Sequence, residues 1–234
     1  MEQNNRYRQP PASGTGEEIR QFLRQRKRVP VNTGLIILNL LVFLGVEGTG
    51  SALDTNHMLR WGAMYAPDIF QQGEYYRLIT SMFLHFGIYH IANNMLVLFV
   101  LGQRLEPVVG KIKFILIYLL GGLGGNIFSF IMEMKSADYA VSAGASGAVF
   151  AVMGAMLYVV IRNHGRIQDI SVRQMMIMAG FSLYFGFTST GVDNAAHVGG
   201  MVCGFILAAV LYHPGNFSGR TMWKDVSPSD SISA

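Results

Sequence analysis

A serine hydroxyl becomes a nucleophile when an imidazole within hydrogen-bond reach takes its proton, and this sequence offers one such pairing. Ser146 sits in Gly144-Ala145-Ser146-Gly147, where glycines on both sides permit a sharp turn and an open approach to the hydroxyl. Position 148 is alanine, so this is not the G-x-S-x-G elbow of soluble hydrolases. His197 is the candidate general base. No well-placed carboxylate is evident to orient it, so a Ser-His dyad is expected rather than a triad. His90 and Asn94 are four residues apart and share a face of a helix. Both donate hydrogen bonds and suit a developing oxyanion, as do free backbone N–H groups at a helix start near Ser146.

The elements that position these groups read as lipid-embedded. Of 234 residues, 51% are hydrophobic and 14% charged, with a mean hydropathy of +0.33, whereas soluble domains average about 25% charged residues. One cysteine, Cys203, permits no internal disulfide, and the composition excludes a disordered chain and most soluble folds. Basic residues flank apolar segments and form no aromatic-plus-basic stripe, so a nucleic-acid partner is not expected. A bilayer core of ~30 Å needs about 20 helical residues. Six segments qualify: Val31–Leu53, Gly87–Leu105, Ile112–Met132, Ser146–Ile161, Gln174–Thr190 and Ala195–Tyr212. The expected fold is all-α and polytopic, a bundle of six transmembrane helices across residues 31–213. A basic tail over 1–30 and a short polar tail over 214–234 flank it. The first segment is too long for the apolar region of a cleaved signal peptide and reads as an anchored helix. No soluble domain large enough to work alone is expected at either end, so the chemistry belongs to the membrane part.

Orientation follows from the cations. With the N-terminus in the cytoplasm, 15 of the 18 Lys and Arg lie inside and three, Arg60, Arg77 and Lys135, lie outside. That bias predicts both termini cytoplasmic. Residues 1–16 read as disordered. Glu17–Arg28 suits either anionic inner-leaflet headgroups or plain solvation. Residues 54–84, with Trp61, Tyr65, Phe70, Tyr75 and Tyr76, read as an outer loop resting at the interface.

In this topology spans two, four and six all run from outside to inside. Ionisable or strongly polar groups within spans are costly and therefore functional suspects: His85, His90, Asn94, Glu106, Ser146 and His197. Apart from Glu106, these gather at the outer ends of those three helices. Ser146–Ile161 and His197–Tyr212 are each 16 residues, about 24 Å of helix. Both fall short of a full span and place Ser146 and His197 at one sunken depth beside a water-filled pocket. Span four carries Gly147, Ala151, Gly154 and Ala155, and span six carries Gly200, Gly204 and Ala208. These small-residue stripes let membrane helices pack backbone to backbone.

The Gly144-Ala145-Ser146-Gly147 run at the head of span four, Ala196-His197 with Gly200 and Gly204 in span six, and His85-x4-His90-x3-Asn94 in span two together resemble the rhomboid intramembrane serine proteases. The resemblance covers about residues 31–212. It implies a six-helix bundle without a seventh span. It also implies Ser146 as nucleophile, His197 as general base, and His90 and Asn94 as oxyanion donors with the Ser146 backbone. Where that family usually carries Trp-Arg in its first outer loop, this chain has Tyr76-Arg77. Where a tyrosine often follows the serine by four positions and stacks on the histidine, it has Phe150, which keeps the stacking surface. Glu106 matches a glutamate that helps hold the second span and is expected to be structural. Gly144, Gly147, Gly200, Gly204, Arg77 and Glu106 are thus supporting residues.

A metal site from His85, His90 and His197 is disfavoured because no HExxH is present, and no cofactor is expected. An aspartyl protease fails because Asp193 stands alone near span six. The expectation is a serine endopeptidase of the plasma membrane that cuts transmembrane protein substrates near the outer face. The alternatives are a non-proteolytic relative of the same fold that binds membrane clients, and a six-span transporter. Such relatives lack the serine or histidine, whereas this chain keeps both. A transporter predicts midplane polar residues, whereas these crowd towards one face.

Overall fold

The computed structural model describes residues 26–167, 169–188 and 191–213. The expectations for residues 1–25, for the end of the fifth segment at Thr190 and for the tail from 214 lie outside these residues. All six apolar segments contain helices: α1 (Pro30–Thr49), α5 (Gly87–Val109), α6 (Lys111–Ser136), α7 (Ser146–Arg162), α8 (Val172–Thr188) and α9 (Asn194–Leu211). Between α1 and α5 lie the short helices α2 (Thr55–Arg60), α3 (Ala66–Gln72) and α4 (Arg77–Thr80), then a 3-10 turn over Ser81–Phe83. A two-residue hairpin, Arg166–Ile167 with Ile170–Ser171, precedes α8.

Among the described residues, α1, α6 and α9 are each long and apolar enough to cross a membrane. The segment Arg77–Phe83 with α5 forms a fourth candidate, bent by 89° at its break, and α7 is a shorter apolar helix. The chain is a membrane protein.

Helix ends follow local chemistry. α1 starts at Pro30, whose fixed φ suits a first turn. Its own preceding residue, Val29, supplies no cap. Instead the buried Glu106 carboxylate of α5 accepts the Val31 N–H at 3.1 Å and the Asn32 N–H at 2.7 Å, an anion at the positive end of a helix. α1 stops at Thr49, four residues before the expected Leu53, in the glycine-rich run Gly48-Thr49-Gly50. The His57 ring occupies the space a Gly50 side chain would fill and lies 3.0 Å from the Val46 carbonyl. Arg60 donates to His57 Nδ1, so Nε2 carries the proton that caps this carbonyl.

The segment from Gly50 to Phe86 is built around Arg77. Its guanidinium is buried and donates to the Leu59 and Ala63 carbonyls and to Glu74, with Asp68 at 3.3 Å. One side chain thereby closes α2, α3 and α4 on one another. The aromatic residues Phe70, Tyr75 and Tyr76 remain exposed.

The core of the bundle is a glycine seam. A Cβ on Gly200 would collide with the Gly147 carbonyl oxygen, one on Gly204 with that of Ala151, and one on Gly154 with that of Met201. α6 joins the same seam, since Gly121 faces the Ala151 methyl and a Cβ on Gly125 would lie 2.6 Å from the Ala196 carbonyl. Cys203 packs there as well, its Sγ 2.7 Å from the position of a Gly124 Cβ.

Two expected outcomes follow from this packing. Gly204→Val should lower the stability of detergent-solubilised protein by about 3 kcal/mol, the upper range for overpacking, as read by thermal unfolding. Gly180→Ala, with open space at its Cβ, should be neutral or slightly stabilising. At the hairpin, Arg104 clasps Asp169 through two N–H groups at 3.0 and 2.7 Å, which holds that carboxyl below its usual range. The pair therefore contributes stability above the ordinary carboxylate value and loses it as pH falls through the depressed folded one. Because Asp169 is largely exposed, Asp169→Asn should cost only about 0.2–1 kcal/mol at pH ~7. The wild-type advantage should vanish on acidification in the same unfolding assay.

Candidate active site

Ser146 is the first residue of α7 and is half-buried. The loop before it is pinned by three sets of bonds. Met64 and Ser142 exchange backbone hydrogen bonds of 2.8 and 2.9 Å, Gly144 N–H donates to the Ser81 carbonyl at 2.9 Å, and Ala145 N–H donates to His85 Nε2 at 3.3 Å. Ser81 is itself held, because Asn126 of α6 donates to its hydroxyl at 3.0 Å and to the Leu78 carbonyl at 2.8 Å. The serine is thus presented by a loop tied to the turn before α5.

Gly144 adopts φ of 156°, a conformation L side chains rarely take. A Cβ there would meet the His90 ring at 2.9 Å and Ser146 Oγ at 3.4 Å. The His90 ring and Ser146 Oγ therefore both lie against Gly144, where the missing side chain permits their approach. His85 stands edge-on to His90, with ring centroids 5.2 Å apart. Asn94, one turn further along α5, is buried and its Nδ2 has no hydrogen-bond partner.

His197 lies in the first turn of α9. Its ring stacks on Phe150 with centroids 4.2 Å apart and an interplanar angle of 13°. Phe150 is four residues after Ser146 and shares its helix face, so the stack holds the imidazole against the face that carries the hydroxyl. His197 is buried and its Nδ1 has no hydrogen-bond partner. Among the described residues no hydrogen bond joins Ser146 to His197.

The backbone at Ser146 contributes as well. The first turn of α7 has N–H groups without intrahelical partners, at the positive end of the helix dipole. Together with two imidazoles, an unpartnered amide donor and a half-buried hydroxyl, the arrangement suits attack on a carbonyl and stabilisation of the oxyanion that results.

The remaining sequence candidates lie elsewhere. Gly147, Gly200 and Gly204 form the seam that sets the spacing of α7 and α9. Arg77 is in the loop region, and Glu106 is twelve residues beyond Asn94 on α5, about 18 Å along the axis. Sequence reasoning gave no role to His85, which accepts a hydrogen bond from the residue before the serine. His85 stands among the costly polar groups and in the motif with His90 and Asn94, but its five-residue spacing from His90 puts the two on different faces of a regular helix. The break before Gly87 brings them together.

Comparison with known proteins agrees with this architecture. Residues 72–214 match the family model described as Rhomboid domain. Rhomboid protease GluP of Bacillus subtilis is 37% identical over 179 residues, 76% of this chain and 34% of that protein. RHOMBOID-like protein 6, mitochondrial, of Arabidopsis thaliana is 38% identical over 152 residues, 64% of this chain and 48% of that protein. Putative rhomboid protease YdcA of Bacillus subtilis is 33% identical over 136 residues, 58% of this chain and 67% of that protein. The chain thus spans between a third and a half of the first two relatives' length.

Gly144→Ala tests the geometry without reference to activity. It adds a Cβ at a φ that disfavours one and against the His90 ring. The variant should be destabilised by about 1–3 kcal/mol in thermal unfolding.

Proposed function

Since the chain belongs to the rhomboid family, we propose that it is an intramembrane serine endopeptidase working through a Ser146–His197 dyad. The bundle has six spans with both termini in the cytoplasm, it resides in the plasma membrane, and its substrates are transmembrane proteins. The observation that carries this reading is the stacking of His197 on Phe150, one turn along the helix that begins with Ser146.

Ser146 Oγ attacks the scissile carbonyl carbon while His197 takes the hydroxyl proton. The oxyanion is held by the Ser146 N–H, by His90 and by the unpartnered Asn94 amide. As the C–N bond breaks, His197 returns the proton to the leaving amine, leaving an acyl-Ser146 ester. Water entering from the outer side then attacks that ester with His197 again as base, and Ser146 is regenerated. Withholding water from the bilayer depth while admitting it at the helix ends confines cleavage to the outer end of the client helix. A helical peptide bond is shielded by its own backbone, so the client must unwind locally. Glycine, proline and other weak helix formers near the cut lower that cost.

Purified protein with a single-pass substrate in detergent or liposomes provides the test, together with labelling by a fluorophosphonate probe. Ser146→Ala and His197→Ala should each abolish cleavage, and Ser146→Ala should abolish labelling, with thermal unfolding little changed. Asn94→Ala should lower kcat by about 10²-fold, as removal of an oxyanion donor does. Cleavage by the Ser146→Ala protein at the wild-type rate would end the reading.

A further inference from the structure

α9 begins at Asn194 with Asp193 as its N-cap, a residue type suited to accept the free N–H groups of a first turn. Asp193 makes three hydrogen bonds there. Its Oδ1 accepts the Ala196 N–H at 2.8 Å, its backbone carbonyl accepts the His197 N–H at 3.2 Å, and its Oδ2 accepts the Ser129 hydroxyl of α6 at 2.6 Å. Ser129 is 1% exposed and Asp193 half-buried, so the hydroxyl end of this last bond lies within the protein. It also falls one turn from Gly125, where α6 approaches the Ala196 carbonyl. The Ser129–Asp193 bond therefore locks α9 to α6 on the glycine seam, at the turn that carries His197.

The lock reaches His197 through the backbone, with no side-chain hydrogen bond between Asp193 and the imidazole. His197 Nδ1 has no hydrogen-bond partner, and both Asp193 carboxylate oxygens are engaged elsewhere, so Asp193 is not the acid of a triad. First turns are the part of a helix most prone to fray, and a side chain placed there shares that freedom. Phe150 limits the ring on one face but does not fix how far α9 slides along the seam. A carboxylate bonded to a buried hydroxyl on a second helix does.

We infer that Ser129 and Asp193 are positioning residues that set the location of the His197 imidazole relative to Ser146. The inference rests on the dyad reading and extends it to residues that touch neither substrate nor the reacting atoms. Small misplacements of a catalytic group reduce rate steeply, so the effect should appear in turnover more than in substrate binding.

The test uses the full chain in detergent, with steady-state cleavage of a single-pass substrate, fluorophosphonate labelling of Ser146 and thermal unfolding measured together. Ser129→Ala should lower kcat by about tenfold or more with KM changed by less than about twofold. Labelling should slow in parallel while the protein remains folded at the assay temperature. Ser129→Thr, which keeps the hydroxyl, should recover most of the rate. Asp193→Asn, which keeps one oxygen to accept the Ala196 N–H and can donate its amide to the Ser129 hydroxyl in place of accepting from it, should fall less than Asp193→Ala. Ser129→Ala combined with Asp193→Ala should be no slower than Asp193→Ala alone, because both remove one interaction. Wild-type kcat in Ser129→Ala and Asp193→Ala, or a loss that only follows the unfolded fraction, would overturn the inference while leaving the dyad in place. A folded wild-type protein that neither cleaves nor takes the label would instead overturn the dyad reading, and this inference with it.

Discussion

The close approach of α7 and α9 is the constraint on which the rest depends. With the backbone of one helix resting on carbonyl oxygens of the other, their separation has no side-chain slack, and their relative rotation is fixed by which glycines face inward. In lipid, where burying apolar surface between helices gains little, such packing is a main source of association. The same contact decides whether a hydroxyl on one helix and an imidazole on the other can work together. Substituting even a methyl at Gly200 or Gly204 would move the two helices apart and with them the two reacting groups. Fold stability and the proposed chemistry therefore rest on the same few glycines.

The part of the molecule between α1 and α5 shows how a membrane protein steadies a loop. Arg77 gathers two carbonyls and two carboxylates around one buried cation, so the short helices have few independent motions. Through Met64, Ser81 and His85, that region then holds the backbone before Ser146. Gly144 sits in the centre of this support, at a φ that glycine takes freely and side-chain-bearing residues rarely do.

Much of this was legible in the sequence, because lipid leaves few options. Apolar length located the six helices to within a few residues, i, i+4 spacing located the small-residue stripes, and the rhomboid resemblance set Phe150 against His197. The errors have local causes. α1 ends early because Gly48 and Gly50 weaken the helix and the His57 ring takes the space at its end. α5 runs on past Leu105 to Val109, because apolarity ends before the hydrogen-bonded helix does. What stayed illegible depends on distance in the chain. The 64 positions between Ser129 and Asp193 and the 60 between His85 and Ala145 carry no periodic signal. Asp193 was visible as a lone acid near span six, but its partner was not.

The Glu106 cap has a bearing on biogenesis. Seventy-four positions separate Asn32 from the carboxylate that receives its amide proton. At ribosomal speeds of 5–20 residues per second, that acceptor is made roughly 4 to 15 s after the donor. During the interval the leading rod must have its amides satisfied by water or headgroups, so its final seating waits until the second rod has been threaded. Assembly of this bundle is thereby given a sequence in time, with the earliest-made segment among those that lock late.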